Sequence, residues 1–149
     1  MRTLDDLKPG DRFAGGPLTV TEEAIFDFAG RFDPQPFHLD HEAANASIFR
    51  GLAASGWHTA ALTMRMLVGS EMRLAGGYVG LGMEELAWPQ ATRPGDVLRI
   101  ESEVLEVRPS TTKPDRGTAL IRTLTYNQKD EVVQRMTALL MVPRRNADS

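Results

Sequence analysis

Asp33 stands five residues before His38 in "RFDPQPFHLD", Arg31 to Asp40, with Pro34 and Pro36 between them. A carboxylate and an imidazole within reach of each other can work as an acid–base pair, one removing a proton from water while the other returns one. The prolines bear on how such a pair is held. Each lacks an N–H and fixes its own φ, and each turns the preceding residue, Asp33 or Gln35, away from the α region. The expectation is a stiffened, extended loop that is neither helix nor regular strand. Chemically competent side chains on such a loop point to function more strongly than the same residues on a solvated helix face. On residues alone a plainer role stays open, with Asp33 ending a helix before Pro34 and His38 merely hydrogen-bonded in a loop. A second chemical feature is Gly56, near the start of the long apolar segment "ASGWHTAALTMRMLVGSEMRL", where an ordinary loop-to-helix glycine is the plain alternative. The first N–H groups of a helix are unpaired and sit at the positive end of its dipole, and a glycine there admits a substrate carbonyl close to the backbone.

The elements that must position these residues fall into two halves. Residues 11–20 suit a short strand leading into "TEEAIFDFAGRF", where Thr21 is a plausible N-cap and Ile25, Phe28, Ala29 and Phe32 form an apolar stripe. Asp40 can cap a short helix over "HEAANASIF", which Gly51 ends. Trp57, Ala60, Ala61, Met64, Leu67, Val68 and Met72 then recur at helical spacing, with Arg65 as the only formal charge from Trp57 to Val68. A helix this apolar is expected to be wrapped by other elements. From Tyr78 onward the period becomes two. Residues 78–88, 97–107, 118–127 and 131–142 read as strands separated by turn signals, and their short connections suggest an antiparallel meander. The expected fold class is α+β, a central helix gripped by a curved antiparallel sheet in a single domain over residues 1–149, of which the hot-dog fold is the best-known form.

Composition narrows the possibilities further. A chain of 149 residues fits one domain that buries roughly 70% of its unfolded surface. It has no cysteine, which excludes disulfides, thiolate metal sites and cysteine nucleophiles. Seventeen basic and twenty acidic residues leave a net charge of −3 with no basic block, so nucleic acid is not an expected partner. The N-terminal "MRTLDDLKPGDRF" lacks the apolar run of a signal peptide, and the apolar region around Ala60 to Val68 is too short to span a bilayer. A soluble cytoplasmic protein with no membrane partner is the expectation.

"FAGRFDPQPFHLDHEAA", followed after a short interval by "GLAASGWHTAAL", resembles the MaoC-like dehydratases, the (R)-specific enoyl-CoA hydratases. The resemblance runs from about Asp11 to Val142, and its Asp-x-x-x-x-His-Leu-Asp core with a downstream glycine is its most specific part. It implies a hot-dog homodimer or higher homo-oligomer that adds water to a trans-2-enoyl thioester of coenzyme A, or removes it. It places the catalytic Asp on Asp33 and the catalytic His on His38. Gly56 becomes the residue whose backbone N–H receives the thioester oxygen. No separate cofactor is implied, because coenzyme A is part of the substrate. Two positions depart from the family pattern. Many of its hydratases read His-Gly where this chain has Ser55-Gly56, and a serine further along the helix falls on Met64. Ser55, His58 or Thr59 are candidates to replace that polar group. The methionines Met64, Met66 and Met72 suit core and pocket packing.

Other chemistries are weaker. His38, Asp40, His41 and His58 do not form a spacing with a zinc precedent, so no metal is expected. Lys113 and Arg116 could reach coenzyme A phosphates, though a solvated hairpin tip accounts for them as well. Two other functions stay open: a hot-dog acyl-CoA thioesterase, and a non-catalytic acyl-CoA-binding domain.

Overall fold

The computed structural model describes residues 1–145, so the last four residues of the expected 1–149 domain lie outside it. Strand β1, Arg12–Thr19, leads into helix α1, Glu22–Phe32. Thr21 caps α1 as expected, its Oγ accepting from the Ala24 N–H at 3.1 Å. A single turn, α2 (Pro36–Leu39), and a short helix, α3 (His41–Asn45), follow. Asp40 caps α3 by accepting from the Ala43 N–H at 2.9 Å. Helix α4, Gly56–Val68, precedes strands β2 (Val79–Ala87), β3 (Val97–Pro109), β4 (Arg116–Tyr126) and β5 (Val132–Pro143). All strand pairings are antiparallel, and the sheet runs β1-β3-β4-β5-β2. Helix α4 packs against β1, β3 and β5. The core between helix and sheet centres on Leu67, Leu98, Ile100, Ile121 and Val142. This is the expected α+β hot-dog arrangement.

Three expectations need correction. The Asp33–His38 segment is not wholly extended. Asp33 and Gln35 do avoid the α region, at φ −151°, ψ 66° and φ −100°, ψ 147°. Pro36, however, begins the turn that carries His38. A proline at the first helical position gives up an N–H that would be unpaired anyway, and its fixed φ already suits a helix. The strands from 78 onward are also not a simple meander. β3, β4 and β5 are consecutive neighbours, but β2 crosses to the far edge beside β5. The connection from β2 to β3, residues 88–96, is too long for a tight hairpin and is spent on the site described below.

The third correction concerns α4. Its inward face is His58, Thr59, Thr63, Met66 and Leu67, whereas Trp57, Met64 and Val68 are 60%, 37% and 55% exposed. The periodicity expected there is real, but the stripe is divided: Leu67 and Met72 are buried, whereas Trp57, Met64 and Val68 point away from the sheet. Threonines face inward because the sheet offers them partners: Thr63 shares a hydrogen bond with Thr125 on β4 at 2.7 Å.

Candidate active site

Asp33, His38 and Gly56 come together at the N-terminal end of α4. Each is held by a different element. Asp33 ends α1, its backbone N–H donating to the Ala29 carbonyl at 2.9 Å. His38 lies on the proline-led turn and is buried. Its Nδ1 is 2.6 Å from the Ala53 carbonyl oxygen. A carbonyl only accepts, so Nδ1 carries a proton, and Nε2 presents a lone pair whenever the ring is neutral. That lone pair faces Asp33 Oδ2 at 3.3 Å. Two acceptors opposed at this distance are satisfied together by one water donating an O–H to each, or by a proton on Nε2.

The carboxylate is fixed from both sides. Ser55 Oγ donates to Asp33 Oδ2 at 2.7 Å, and Gln35 Nε2 donates to Oδ1 at 2.5 Å. Burial alone would raise the Asp33 pKa, but the hydrogen bonds from Ser55 and Gln35, and the charge of the His38 ring when it is protonated, outweigh it. The net effect holds the carboxyl below its ordinary value. Ser55 has a second task. As the N-cap of α4 its Oγ accepts from the Trp57 N–H at 3.2 Å, so one hydroxyl joins the helix end to the carboxylate.

Gly56 is the first residue of α4, and among the described residues its N–H donates to no protein acceptor. The need for glycine here has a visible cause: a Cβ at this position would lie 2.7 Å from Cδ2 and Cε2 of Trp88. His38 and Gly56 border one cavity of about 330 Å³, walled by Phe37, Phe49 and Trp88 and by Thr59 and Thr92, and Asp33 adjoins it through its contact with His38. The Thr59 and Thr92 hydroxyls are hydrogen-bonded to each other at 3.0 Å. Arg93 braces the rim by donating to the carbonyls of Phe49, Gly51 and Leu52.

The other candidates separate clearly. Ser55 touches the carboxylate and Thr59 lines the cavity. His58 instead stacks on Phe28, away from the cavity. Met64 lies on the exposed face of α4 and does not line the cavity, contrary to the expectation of pocket packing, whereas Met66 and Met72 are core residues. His41 pairs with Glu22, and among the described residues no group of three or more His, Asp or Glu side chains could hold a metal. Lys113 and Arg116 flank the β3–β4 turn, at the end of the sheet opposite the site, and Arg116 is paired with Asp115. Among the described residues no helix is long and apolar enough to cross a membrane. Trp88 and Gln90 were missed from the sequence. They line the site only because the β2–β3 connection passes the end of α4.

Comparison with known proteins agrees with this architecture. Residues 7–125 match the model of the MaoC like domain. The chain is 55% identical to a MaoC-like dehydratase from Rhodospirillum rubrum of known crystal structure. That match covers 98% of this chain and 99% of the other, with a TM-score of 0.94. It is 27% identical to the unliganded (R)-hydratase PhaJ1 from Pseudomonas aeruginosa, covering 96% and 86% of the two chains with a TM-score of 0.74. The uncharacterized protein YdeM of Bacillus subtilis (strain 168) is 32% identical over 127 residues, 85% of this chain and 89% of YdeM. A polar pair held at a glycine-led helix end, on this sheet and with these relatives, places the chain in the MaoC-like dehydratase family.

Proposed function

We propose that the protein catalyses the reversible hydration of a trans-2-enoyl thioester of coenzyme A to the 3-hydroxyacyl thioester, with Asp33 and His38 sharing the reacting water. The observation that carries this reading is the approach of His38 Nε2 to Asp33 Oδ2, 3.3 Å apart. A water donating to both has its oxygen lone pairs free to attack C3. As the C3–O bond forms, the pair takes one proton from the water, and the C2=C3 electrons move toward the thioester oxygen. The pair then gives one proton to C2, so its charge is restored each turnover. The developing oxyanion would be met by the Gly56 N–H and the positive end of α4. Acid–base groups of this kind contribute about 10²–10⁴-fold each, and one oxyanion donor about 10²–10³-fold. The family membership and the (R)-hydratase among the structural relatives support the reaction class.

The test follows the conjugated enoyl-thioester absorbance and free thiol in parallel on crotonyl-CoA and other enoyl-CoA esters. Absorbance loss without thiol is expected. Thiol release in step with it would mean hydrolysis, and binding with neither signal would mean a non-catalytic acyl-CoA-binding domain.

The reading includes a homodimer. β2 has β5 on one side and an open edge on the other, with Leu81 and Met83 more than half exposed. Bare strand edges are normally covered or paired, and exposed apolar side chains, Trp57, Met64 and Val68 on α4 and Leu81 and Met83 on β2, suit an interface. Sedimentation at micromolar concentration should show a dimer or larger species, and a monomer alone would contradict it.

A further inference from the structure

Trp88 follows β2 directly, and its indole lies against the Cα of Gly56 so closely that no side chain fits between them. The ring is held from two directions. Its Nε1 donates to Gln134 Oε1 on β5 at 2.8 Å, and Trp57 packs edge-on against it with ring centres 5.3 Å apart. An indole N–H only donates, so the Gln134 amide must turn its oxygen to Trp88. Gln134 is fully buried, and its Nε2 is left without a partner. An orphaned buried donor is destabilising. An apolar pair in the same place would avoid it, so packing stability alone does not account for this latch.

We propose that Trp88, latched by Gln134, is a specificity-determining residue that closes the acyl end of the cavity, so that the site takes thioesters of short acyl groups. This rests on the reading of the cavity as a thioester site. With the thioester oxygen on the Gly56 N–H and C3 beside His38, every carbon beyond C3 must find room in what remains of the cavity. The cavity is lined there by Trp88, Ala91 and the paired hydroxyls of Thr59 and Thr92, together with Phe37 and Phe49. A long methylene chain would run into a ring that Gln134 and Trp57 keep from swinging aside, and onto the paired Thr59 and Thr92 hydroxyls.

The test is calorimetric binding of butyryl-CoA and octanoyl-CoA, saturated thioesters that are not turned over. Wild-type protein should favour the butyryl ester. Each methylene that finds room is worth about fourfold in binding. Trp88→Ala should therefore move the octanoyl-to-butyryl affinity ratio toward the long chain by about tenfold or more. Gln134→Leu keeps the volume but releases the ring, and should move the ratio the same way by less. It also serves if melting shows that Trp88→Ala is unfolded. Equal wild-type affinity for the two esters, or an unchanged ratio in the folded variants, would overturn the assignment of Trp88 while leaving the hydratase reading intact. Wild-type protein that binds neither ester would overturn both.

Discussion

His38 and His58 are equally buried, each 5% exposed, and both lie near the N-terminal end of α4, yet their surroundings differ completely. His38 has both ring nitrogens engaged, Nδ1 with the Ala53 carbonyl and Nε2 facing Asp33. His58 is stacked flat on Phe28, with ring centres 4.8 Å apart and planes 7° from parallel, and its buried Nδ1 has no partner. Burial pushes the His58 pKa down, with no charge nearby to oppose it. The contrast shows that burial does not make an imidazole functional. In the proposed reading, what sets His38 apart is a backbone carbonyl on Nδ1 and a carboxylate facing Nε2.

The largest expected effect separates the two rings. His38→Ala should lower kcat/KM for enoyl-thioester hydration by about 10² or more, because it removes an acid–base group. His58→Phe preserves the stack on Phe28 and should leave kcat/KM nearly unchanged. Comparable losses in both variants would mean that the pair around His38 has been misassigned.

A smaller effect is expected one step back from the chemistry, at Ser55. Ser55→Ala removes a hydrogen bond to the Asp33 carboxylate and should lower kcat/KM by about tenfold, the equivalent of one hydrogen bond. It also removes one of the causes that hold the Asp33 pKa down. The acidic limb of the kcat/KM profile should therefore move to higher pH. Ser55→Thr, which keeps the hydroxyl, should restore it. A loss of N-cap stability of about 1 kcal/mol with no movement of that limb would reduce Ser55 to a helix cap.

The smallest effect is a pH dependence of stability at His58. Its folded pKa lies below the unfolded value, so the unfolded chain binds the proton more readily. The stability this neutral ring permits is present above the ordinary histidine pKa of about 6.5 and is lost as pH falls below it. The loss cannot exceed about 1.4 kcal/mol per pH unit for one proton. Melting curves between pH 7.5 and 5.5 should fall less steeply for His58→Phe than for wild type. Parallel curves would mean that His58 reaches a proton acceptor when it charges.

Much of this was legible in the sequence, for identifiable reasons. Asp33, His38 and Gly56 belong to a local motif, and the strands announce themselves by a period of two. The proline turn was misread because Pro36 breaks a helix only in its interior, and here it starts one. The α4 stripe was misread because helical periodicity identifies an apolar face without saying whether a sheet or another chain covers it. Met64 was expected to pack in the core or pocket because a family serine falls on that position, and the exposed face of α4 carries it instead. Trp88 and Gln134 were invisible as partners because their hydrogen bond spans 46 residues and depends on β2 crossing to the far edge beside β5. Ser55 was a candidate from sequence, but only the end of α1 beside the end of α4 shows that it holds Asp33.

The central claim is that Asp33 and His38 act as a unit on one water, and a double-mutant cycle tests it most directly. Asp33→Asn keeps the size of the side chain and removes its charge, and His38→Ala removes the ring. Hydration of the best enoyl-CoA substrate should fall by about 10² or more in each single variant. The double variant should be little slower than the poorer single one, because groups that act as a unit are grossly non-additive. Losses that instead multiply in the double variant would mean that the two residues act independently, and the shared water would have to be abandoned.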